Sequence, residues 1–162
     1  MKPSSAYRLQ TVMKMISHTC TDLFYPLNIS LSYGTVSPED YLRVLGHYGK
    51  WLDREQPYAL LNIRDDASFE NTPGLGKMAK GWMTKYLPLL QQYEQGIALV
   101  VPESRYEKVC KTNFEAISAG ACKVFIHTDE ALTWLAEGEL KSLEGFNKWK
   151  AVKEYLKINS YE

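Results

Sequence analysis

Three charged residues follow directly on a short apolar run, at a place where many α/β proteins bind ligands. The run spans residues 58–63, and Arg64, Asp65 and Asp66 come next. If the run is a parallel strand, these side chains lie at its carboxyl edge. Paired carboxylates there can bind a divalent ion or act in acid–base chemistry. Adjacent residues on an extended chain point in opposite directions, however, so a solvated turn is the preferred interpretation of Asp65 and Asp66.

The residue types that most often carry metal or nucleophilic chemistry are scattered along the chain. The cysteines and histidines form no CxxC pair and are far apart: Cys20, Cys110, Cys122, His18, His47 and His127. Neither GxSxG nor HExxH occurs. We therefore expect no metal, no cofactor and no catalytic centre. The cysteines are expected to be small apolar core residues in a reducing compartment.

A turn containing two glycines is the second candidate site. Its residues are Asn71, Thr72, Pro73, Gly74, Leu75, Gly76 and Lys77. Thr72 followed by Pro73 is typical of a helix N-cap with proline at the first helical position. The N–H groups of residues 74–76 would then form an anion site at the positive helix end, beside Lys77. The alternative is that the glycines allow close packing of the helix on the sheet, and it is preferred because the GxxxxGK[ST] spacing of a phosphate loop is missing.

Aromatic residues at helical spacing are the third candidate. Trp82 and Tyr86 lie on the apolar stripe of a predicted helix, together with Leu75, Met78, Ala79, Met83 and Leu90. We expect them to pack in or beside the core. The alternative is a pocket beside the Trp82 helix that binds an apolar small molecule or lipid.

The composition excludes several classes of protein. In 162 residues, 19 Lys and Arg balance 19 Asp and Glu, and zero net charge argues against a surface that wraps nucleic acid. With 45% hydrophobic residues the chain can bury one sizeable core and is not of the disordered type. No run resembles a signal peptide or a membrane span, so we expect a cytoplasmic protein without membrane insertion.

Strands alternate with helices along most of the chain. The alternation of apolar and polar residues over 27–33 predicts a strand with one buried face, and an earlier strand near 8–15 would pair with it in antiparallel orientation. Apolar runs at 58–63, 97–101 and 122–126 predict strands of a sheet that is covered by helices. This order predicts an α/β fold with a mixed, largely parallel sheet of four to five strands.

Helix boundaries can be predicted from capping residues. Ser37 and Pro38 indicate the start of the first helix. The helix that carries Trp82 should be kinked or interrupted at Pro88. Later helices are predicted from Tyr106 to a stop at Gly120, and from the cap Thr128-Asp129-Glu130 through Leu135.

The C-terminal segment is predicted to be an extra amphipathic helix of the same domain. Residues 1–138 would form the main α/β unit and residues 139–162 its extension. The apolar stripe, which is interrupted at Gly145, consists of Leu140, Leu143, Phe146, Trp149, Val152 and Leu156. Docking on its own domain is preferred, and docking on a second chain in a homodimer is the alternative.

Two segments resemble the STAS domain, the fold of the bacterial anti-sigma-factor antagonists, and in particular its SpoIIAA-like relatives. Residues 60–76 are similar to the family's buried strand followed by a Phe and an Asp-Ser-Ser-Gly-Leu-Gly turn that opens a helix. Val124-Phe125 and the later Glu130-Ala131-Leu132-Thr133-Trp134-Leu135 resemble the family's last strand and helix. The resemblance covers about residues 8–138 and implies a STAS-like fold and a regulatory role.

The sequence departs from the family at the residue that matters for its switch. The resemblance places the phosphorylatable Ser of the antagonists at the position of Pro73, which has no hydroxyl. Asn71 replaces the family's Asp, and Thr72 replaces the first Ser. The family's phosphoswitch therefore cannot operate at Pro73.

The resemblance implies a non-catalytic regulatory or protein-interaction domain. The family presents its switch helix in the region of residues 64–80, so we expect the protein partner to bind there. The alternative is a small-molecule or lipid-binding module with a pocket at Trp82 and Tyr86. A deep apolar cavity would favour the ligand, whereas an exposed apolar patch near Leu75 would favour the protein partner.

Overall fold

The structure, a computed structural model, describes residues 18–70, 73–112, 121–141, 143 and 145–159. The strands are β1 (His18–Phe24), β2 (Leu27–Ser32), β3 (Tyr58–Arg64), β4 (Glu94–Val100) and β5 (Ala121–Phe125). The helices are α1 (Pro38–Asp53), α2 (Leu75–Tyr93), α3 (Glu103–Cys110), α4 (Thr128–Glu137) and α5 (Trp149–Asn159). A 3₁₀ turn, Ala67–Phe69, lies between β3 and α2.

The five strands form one mixed sheet in the order β1-β2-β3-β4-β5. β1 is antiparallel to β2, and the other neighbours are parallel. The predicted α/β class with a mixed sheet is confirmed. The antiparallel partner of β2 is β1 and not the strand expected near residues 8–15, which lie outside the described residues. A short turn suffices to join antiparallel strands, so the segment adjacent to β2 is the one that pairs.

Helices cover both faces of the sheet, and each face has its own core. On what we call the α4–α5 face, Leu61 and Ile63 of β3 pack with Leu135 of α4 and Val152 of α5. On the α1–α2 face, the neighbouring residues Tyr58 and Leu60 pack with residues of α1 and α2: Trp51, Leu52, Tyr86 and Leu90. β3 is therefore apolar on both faces over most of its length, as a covered parallel strand requires.

β2 differs from its prediction. Its polar residues were expected to face water, but Asn28 is 0% exposed and Ser30 is 1% exposed. They lie on the α1–α2 face, because successive strand residues point to opposite faces and Leu27, Ile29 and Leu31 belong to the α4–α5 face. The alternation in this strand marks a polar buried face, since a second helix layer covers the side that would otherwise face solvent.

The helix caps match the sequence at α1 and differ at α2. The Ser37 hydroxyl accepts a hydrogen bond from Asp40 N–H at 3.1 Å in a full capping box, which confirms the predicted start of α1. α2 begins at Leu75 and not at Pro73, and its N-cap is Gly74. Gly74 has φ 91°, a left-handed conformation that glycine adopts without strain, so the helix starts after this turn.

Two further helix predictions need correction. α2 is not interrupted at Pro88 but continues to Tyr93, with Tyr86 and Leu90 in one core cluster on both sides of the proline. The kink at Pro88 stays a prediction. α3 ends at Cys110, and Phe114, Ile117 and Gly120 lie outside the described residues.

The C-terminal segment packs on the domain's own α4–α5 face. Leu140, Val152 and Leu156 are buried in the same cluster as the strand residues of that face. The helix itself is shorter than predicted and begins only at Trp149. Gly145 has φ 80°, which is outside the right-handed helical region, so one continuous helix cannot run from residue 139 to α5. Leu140 lies in a turn that precedes α5 and reaches the core from there.

Candidate functional site

Asp65 holds two loops together at the carboxyl edge of the sheet. Its two carboxylate oxygens accept hydrogen bonds from Gly34 N–H at 3.0 and 2.9 Å, and one of them also accepts from Ser68 N–H at 2.9 Å. Gly34 follows β2 and Ser68 follows β3, whose ends are paired in the sheet through Ser32 and Arg64. Asp65 therefore positions backbone and does not project into a pocket.

Asp66 points to a different neighbour. Its Oδ1 accepts a hydrogen bond from Arg105 Nε at 2.7 Å and one from the Ser104 hydroxyl at 3.3 Å, which ties the end of β3 to the start of α3. The hydrogen bond from Arg105 lowers the pKa of the Asp66 carboxyl. The structure thus separates the two acids, although Asp66 has right-handed helical dihedrals, φ −62° and ψ −43°, and is not extended.

No group of three or more His, Cys, Asp and Glu side chains in the described part of the chain is arranged to hold a metal ion. Cys110 is exposed, contrary to the expectation that all three cysteines lie in the core, while Cys20 and Cys122 are partly buried. Cys110 is the last residue of the short helix α3, and the buried residue of that helix is the neighbouring Val109.

Arg64 lies in a pocket of about 310 Å³ at the carboxyl end of β3. Its Nε donates to the Ser68 hydroxyl at 3.2 Å and its Nη2 to the Ser68 carbonyl at 2.6 Å. The guanidinium also lies over the Phe69 ring, 4.0 Å from the centroid. Burial lowers the pKa of Arg64. Among the described residues, Arg64 forms no ion pair with a carboxylate.

The glycine turn contributes to this pocket only in part. Leu75 and Gly76 line it, whereas Lys77 is exposed outside it, and Asn71 and Thr72 lie outside the described residues. A Cβ built at Gly76 or at Gly74 would have no atom within 4 Å. Neither glycine is therefore required for close packing of α2, and the preferred interpretation of the sequence does not hold for them.

Trp82 and Tyr86 line a groove of about 520 Å³ between α1 and α2. Their rings stack at 4.8 Å, and Trp82 Nε1 donates to the Leu45 carbonyl of α1 at 3.1 Å. A Cβ at Gly49 would come within 2.9 Å of the Tyr86 hydroxyl, so glycine at this position lets the two helices approach. The predicted juxtaposition of Trp82 and Tyr86 is present, in a groove that opens to solvent.

The groove has an apolar lining that the helices cover incompletely. Leu42 of α1 is 58% exposed, and Met78 and Trp82 of α2 are half-buried. In the apolar stripe of α2, only Tyr86 and Leu90 reach full burial. Nothing in the sequence marks Leu42 as uncovered, because an apolar residue on an amphipathic helix is usually covered.

A band of buried polar side chains lies on the α1–α2 face of the sheet, and the sequence analysis missed it. Asn28 is fully buried, and neither its amide nitrogen nor its amide oxygen has a hydrogen-bond partner among the described residues. Glu94, 4% exposed, accepts a hydrogen bond from the Tyr58 hydroxyl at 2.7 Å. Burial raises the pKa of Glu94 to about 7. The polar residues at every second position of β2 mark this face as polar but do not show that helices cover it.

A third concave region, of about 760 Å³, lies between β5 and α4. Lys123, His127 and Trp134 are among the residues that line it. Residues 113–120, which precede β5, lie outside the described part of the chain. None of the candidate residues from the sequence analysis lies in this region.

Comparison with known proteins gives no relative. No protein-family model, no curated protein and no solved structure matches the chain. The similarity to STAS domains therefore rests on the two sequence segments alone. Within the described residues, none of the helices combines the length and the apolar character needed to cross a membrane.

Proposed function

We propose that the protein is a non-catalytic regulatory domain that binds an acidic, amphipathic segment of a partner protein in the groove between α1 and α2. The observation that carries this proposal is the uncovered apolar lining of the groove. Leu42 is 58% exposed beside the half-buried Met78 and Trp82, and an accessible apolar surface of this kind is typical of an interaction site.

The charges around the groove favour an acidic partner. α2 carries Lys77, Lys80 and Lys85 and no Asp or Glu. Of these lysines Lys85 lines the groove, together with Lys50 of α1, and Asp53 is the one acid among the described lining residues. Positive charge on the rim steers an acidic segment toward the apolar lining and fixes its orientation. A helix that carries apolar anchors and acidic flanks has the required chemistry.

The shape of the groove favours a protein segment over a small molecule. A ligand pocket encloses most of its ligand, whereas this groove opens to solvent along the two helices. The polar atom of Trp82 is already bonded to Leu45 of α1, so it offers no donor to a ligand. The resemblance to STAS domains implies a partner surface at residues 64–80, of which Met78 lines the groove. Pro73 means that regulation does not use phosphorylation at that position.

The proposal is tested by site-specific photocrosslinking with matched positions on the two helix layers. A photoreactive amino acid replaces Leu42 in the groove or Ile158 on α5, whose exposed fractions of 58% and 68% are comparable. In the native cell, position 42 should capture a defined protein that position 158 does not capture.

The captured protein is then purified and titrated against variants of the full chain. Leu42→Glu and Lys50→Glu should each weaken binding at least about tenfold, or roughly 1.4 kcal/mol, while Ile158→Glu changes it less than about twofold. Equal capture at both positions, or equal loss from all three variants, contradicts the proposal. Release of an apolar small molecule from the purified protein, with no protein captured at 42, would favour the ligand-binding alternative.

A further inference from the structure

The pocket at Arg64 is separate from the groove and has a different chemistry. It lies at the carboxyl edge of the sheet, and none of the residues that line it also lines the groove. The groove is lined mainly by apolar side chains, whereas the partly buried Arg64 lines this pocket together with Tyr41, Ser68 and Glu70. Its volume of about 310 Å³ suits a small polar ligand.

Among the described residues no carboxylate forms an ion pair with Arg64, although the adjacent Asp65 attracts its charge. Asp65, the adjacent residue, uses both of its oxygens on backbone N–H groups. Glu70, which also lines the pocket, accepts a hydrogen bond from the Thr35 hydroxyl at 3.2 Å. Arg64 has five N–H donors, of which two are directed at Ser68. A cation that is withdrawn from water in this way is stabilised by an anion that bonds its remaining donors.

Arg105, which lies near the same aromatic ring, provides the contrast. Its guanidinium lies 5.5 Å from the Phe69 centroid, compared with 4.0 Å for Arg64. Arg105 is paired with Asp66 at 2.7 Å and does not line the pocket. Two arginines thus share one ring, and the arginine without a carboxylate partner is the one that faces the cavity.

We infer that this pocket binds a small oxyanion, a phosphate or carboxylate group, through the guanidinium of Arg64. The first turn of α2 supports the same charge. Leu75 and Gly76 line the pocket and precede the first helical hydrogen bond, which Met78 N–H donates to the Gly74 carbonyl at 3.3 Å. The positive helix end favours an anion. A Cβ built at Gly76 would meet no atom within 4 Å, so the space around this residue is open.

The test uses the full chain, labelled with ¹⁵N and titrated with sodium phosphate or sodium acetate at constant ionic strength set with sodium chloride. Saturable shifts should appear at the Arg64 Nε–H and at the Gly76 amide, and the probe with the lower Kd identifies the oxyanion class. The wild-type titration decides by itself: shifts that do not saturate, or that chloride reproduces, overturn the inference.

Two variants sharpen the result. Arg64→Gln should raise the Kd of the better probe at least about tenfold, because bonds to a charged donor are lost. Arg105→Gln, the matched control, should change the Kd less than about threefold. Equal loss from both variants means general attraction to positive charge and overturns the assignment. The groove variant Leu42→Glu should leave oxyanion binding unchanged, so failure of the partner proposal and failure of this inference are distinguishable.

Discussion

The two faces of the sheet are both covered by helices, but the side chains beneath those helices differ in kind. Under α4 and α5 the sheet presents aliphatic residues such as Ile29, Leu61 and Val100. Under α1 and α2 it presents Asn28, Ser30 and Glu94 among the apolar residues. Buried aliphatic side chains stabilise the folded state without needing a hydrogen-bond partner. A buried polar group, in contrast, destabilises the folded state when its hydrogen-bond partner is missing.

This difference explains why both candidate binding surfaces lie on one side. The α1–α2 layer rests on the polar sheet face, has an apolar stripe that is only half-covered and contributes to both the groove and the Arg64 pocket. Elements that bind and move come from the less stable parts of a protein. We therefore expect the α4–α5 layer, which includes the C-terminal segment, to be the more stable half of the molecule.

The largest effect is expected on the aliphatic face. Leu61→Ala removes a fully buried side chain from β3 and should lower the free energy of unfolding by about 4 kcal/mol. Chemical denaturation of the variant and the wild type measures the difference. A loss below about 1 kcal/mol would mean that the face can collapse around the cavity and that the α4–α5 layer is not the more stable half.

The next effect is a pH dependence that arises from the polar face. Burial raises the pKa of Glu94 from 4.5, the value of a solvated glutamate, to about 7, so the folded state holds the proton more tightly than the unfolded chain does. The contribution of Glu94 to the free energy of unfolding is therefore fully present below pH 4.5 and falls as the pH rises to about 7. Above about pH 7 it no longer changes with pH. The corresponding free energy is about 3 kcal/mol.

The change is measured as the difference in unfolding free energy between the wild type and Glu94→Gln at a series of pH values. Because Gln does not titrate, the wild type should lose about 3 kcal/mol relative to the variant between pH 4.5 and 7. Other ionisable groups cancel in the difference. A flat difference curve would show that water or a cation stabilises the Glu94 carboxylate in the folded protein.

A smaller effect of opposite sign is expected at Asn28. Its amide has no hydrogen-bond partner among the described residues, so replacement by an apolar residue of similar size removes a desolvation cost. Asn28→Leu should raise the free energy of unfolding by about 1 to 2 kcal/mol. If the variant is instead destabilised by more than about 1 kcal/mol, the Asn28 amide is hydrogen-bonded to internal water in the wild type. The polar groups on this face then have more hydrogen-bond partners than the side chains alone provide.

The smallest expected effects form a matched pair at the start of α2. Gly74→Ala places a Cβ on a residue with φ 91° and should destabilise by about 1 kcal/mol. Gly76→Ala meets no neighbouring atom and improves helix propensity, so it should stabilise by about 0.5 to 1 kcal/mol. Thermal unfolding distinguishes the two. The same sign for both variants would mean that α2 begins at another residue.

The parts of the fold that could be predicted are those determined by local chemistry. The capping box at Ser37 and the continuous apolar run of β3 lie within a few residues of sequence, and the structure contains both. The polar face of β2 could not be assigned, because alternation has the same appearance whether water or a second helix layer covers the polar side.

The candidate site was predictable only as separate pieces. Arg64 and the glycine turn were identified, but Tyr41 enters the pocket from α1, whose position depends on the pairing of Ser32 with Arg64. The separate partners of Asp65 and Asp66 likewise come from loops that are distant in sequence, at Gly34 and Arg105. Spacing along the chain carries no information on such contacts.

The central claim is that the α1–α2 layer is the more easily opened half of the molecule, and native-state amide hydrogen exchange measures this most directly. The amides in the middle of α1 and α2 should open with free energies about 1 to 3 kcal/mol below those in the middle of α4, because their layer rests on incompletely satisfied polar groups. In Asn28→Leu the difference should shrink. Equal opening free energies in the two layers, or lower values in α4, would contradict the account.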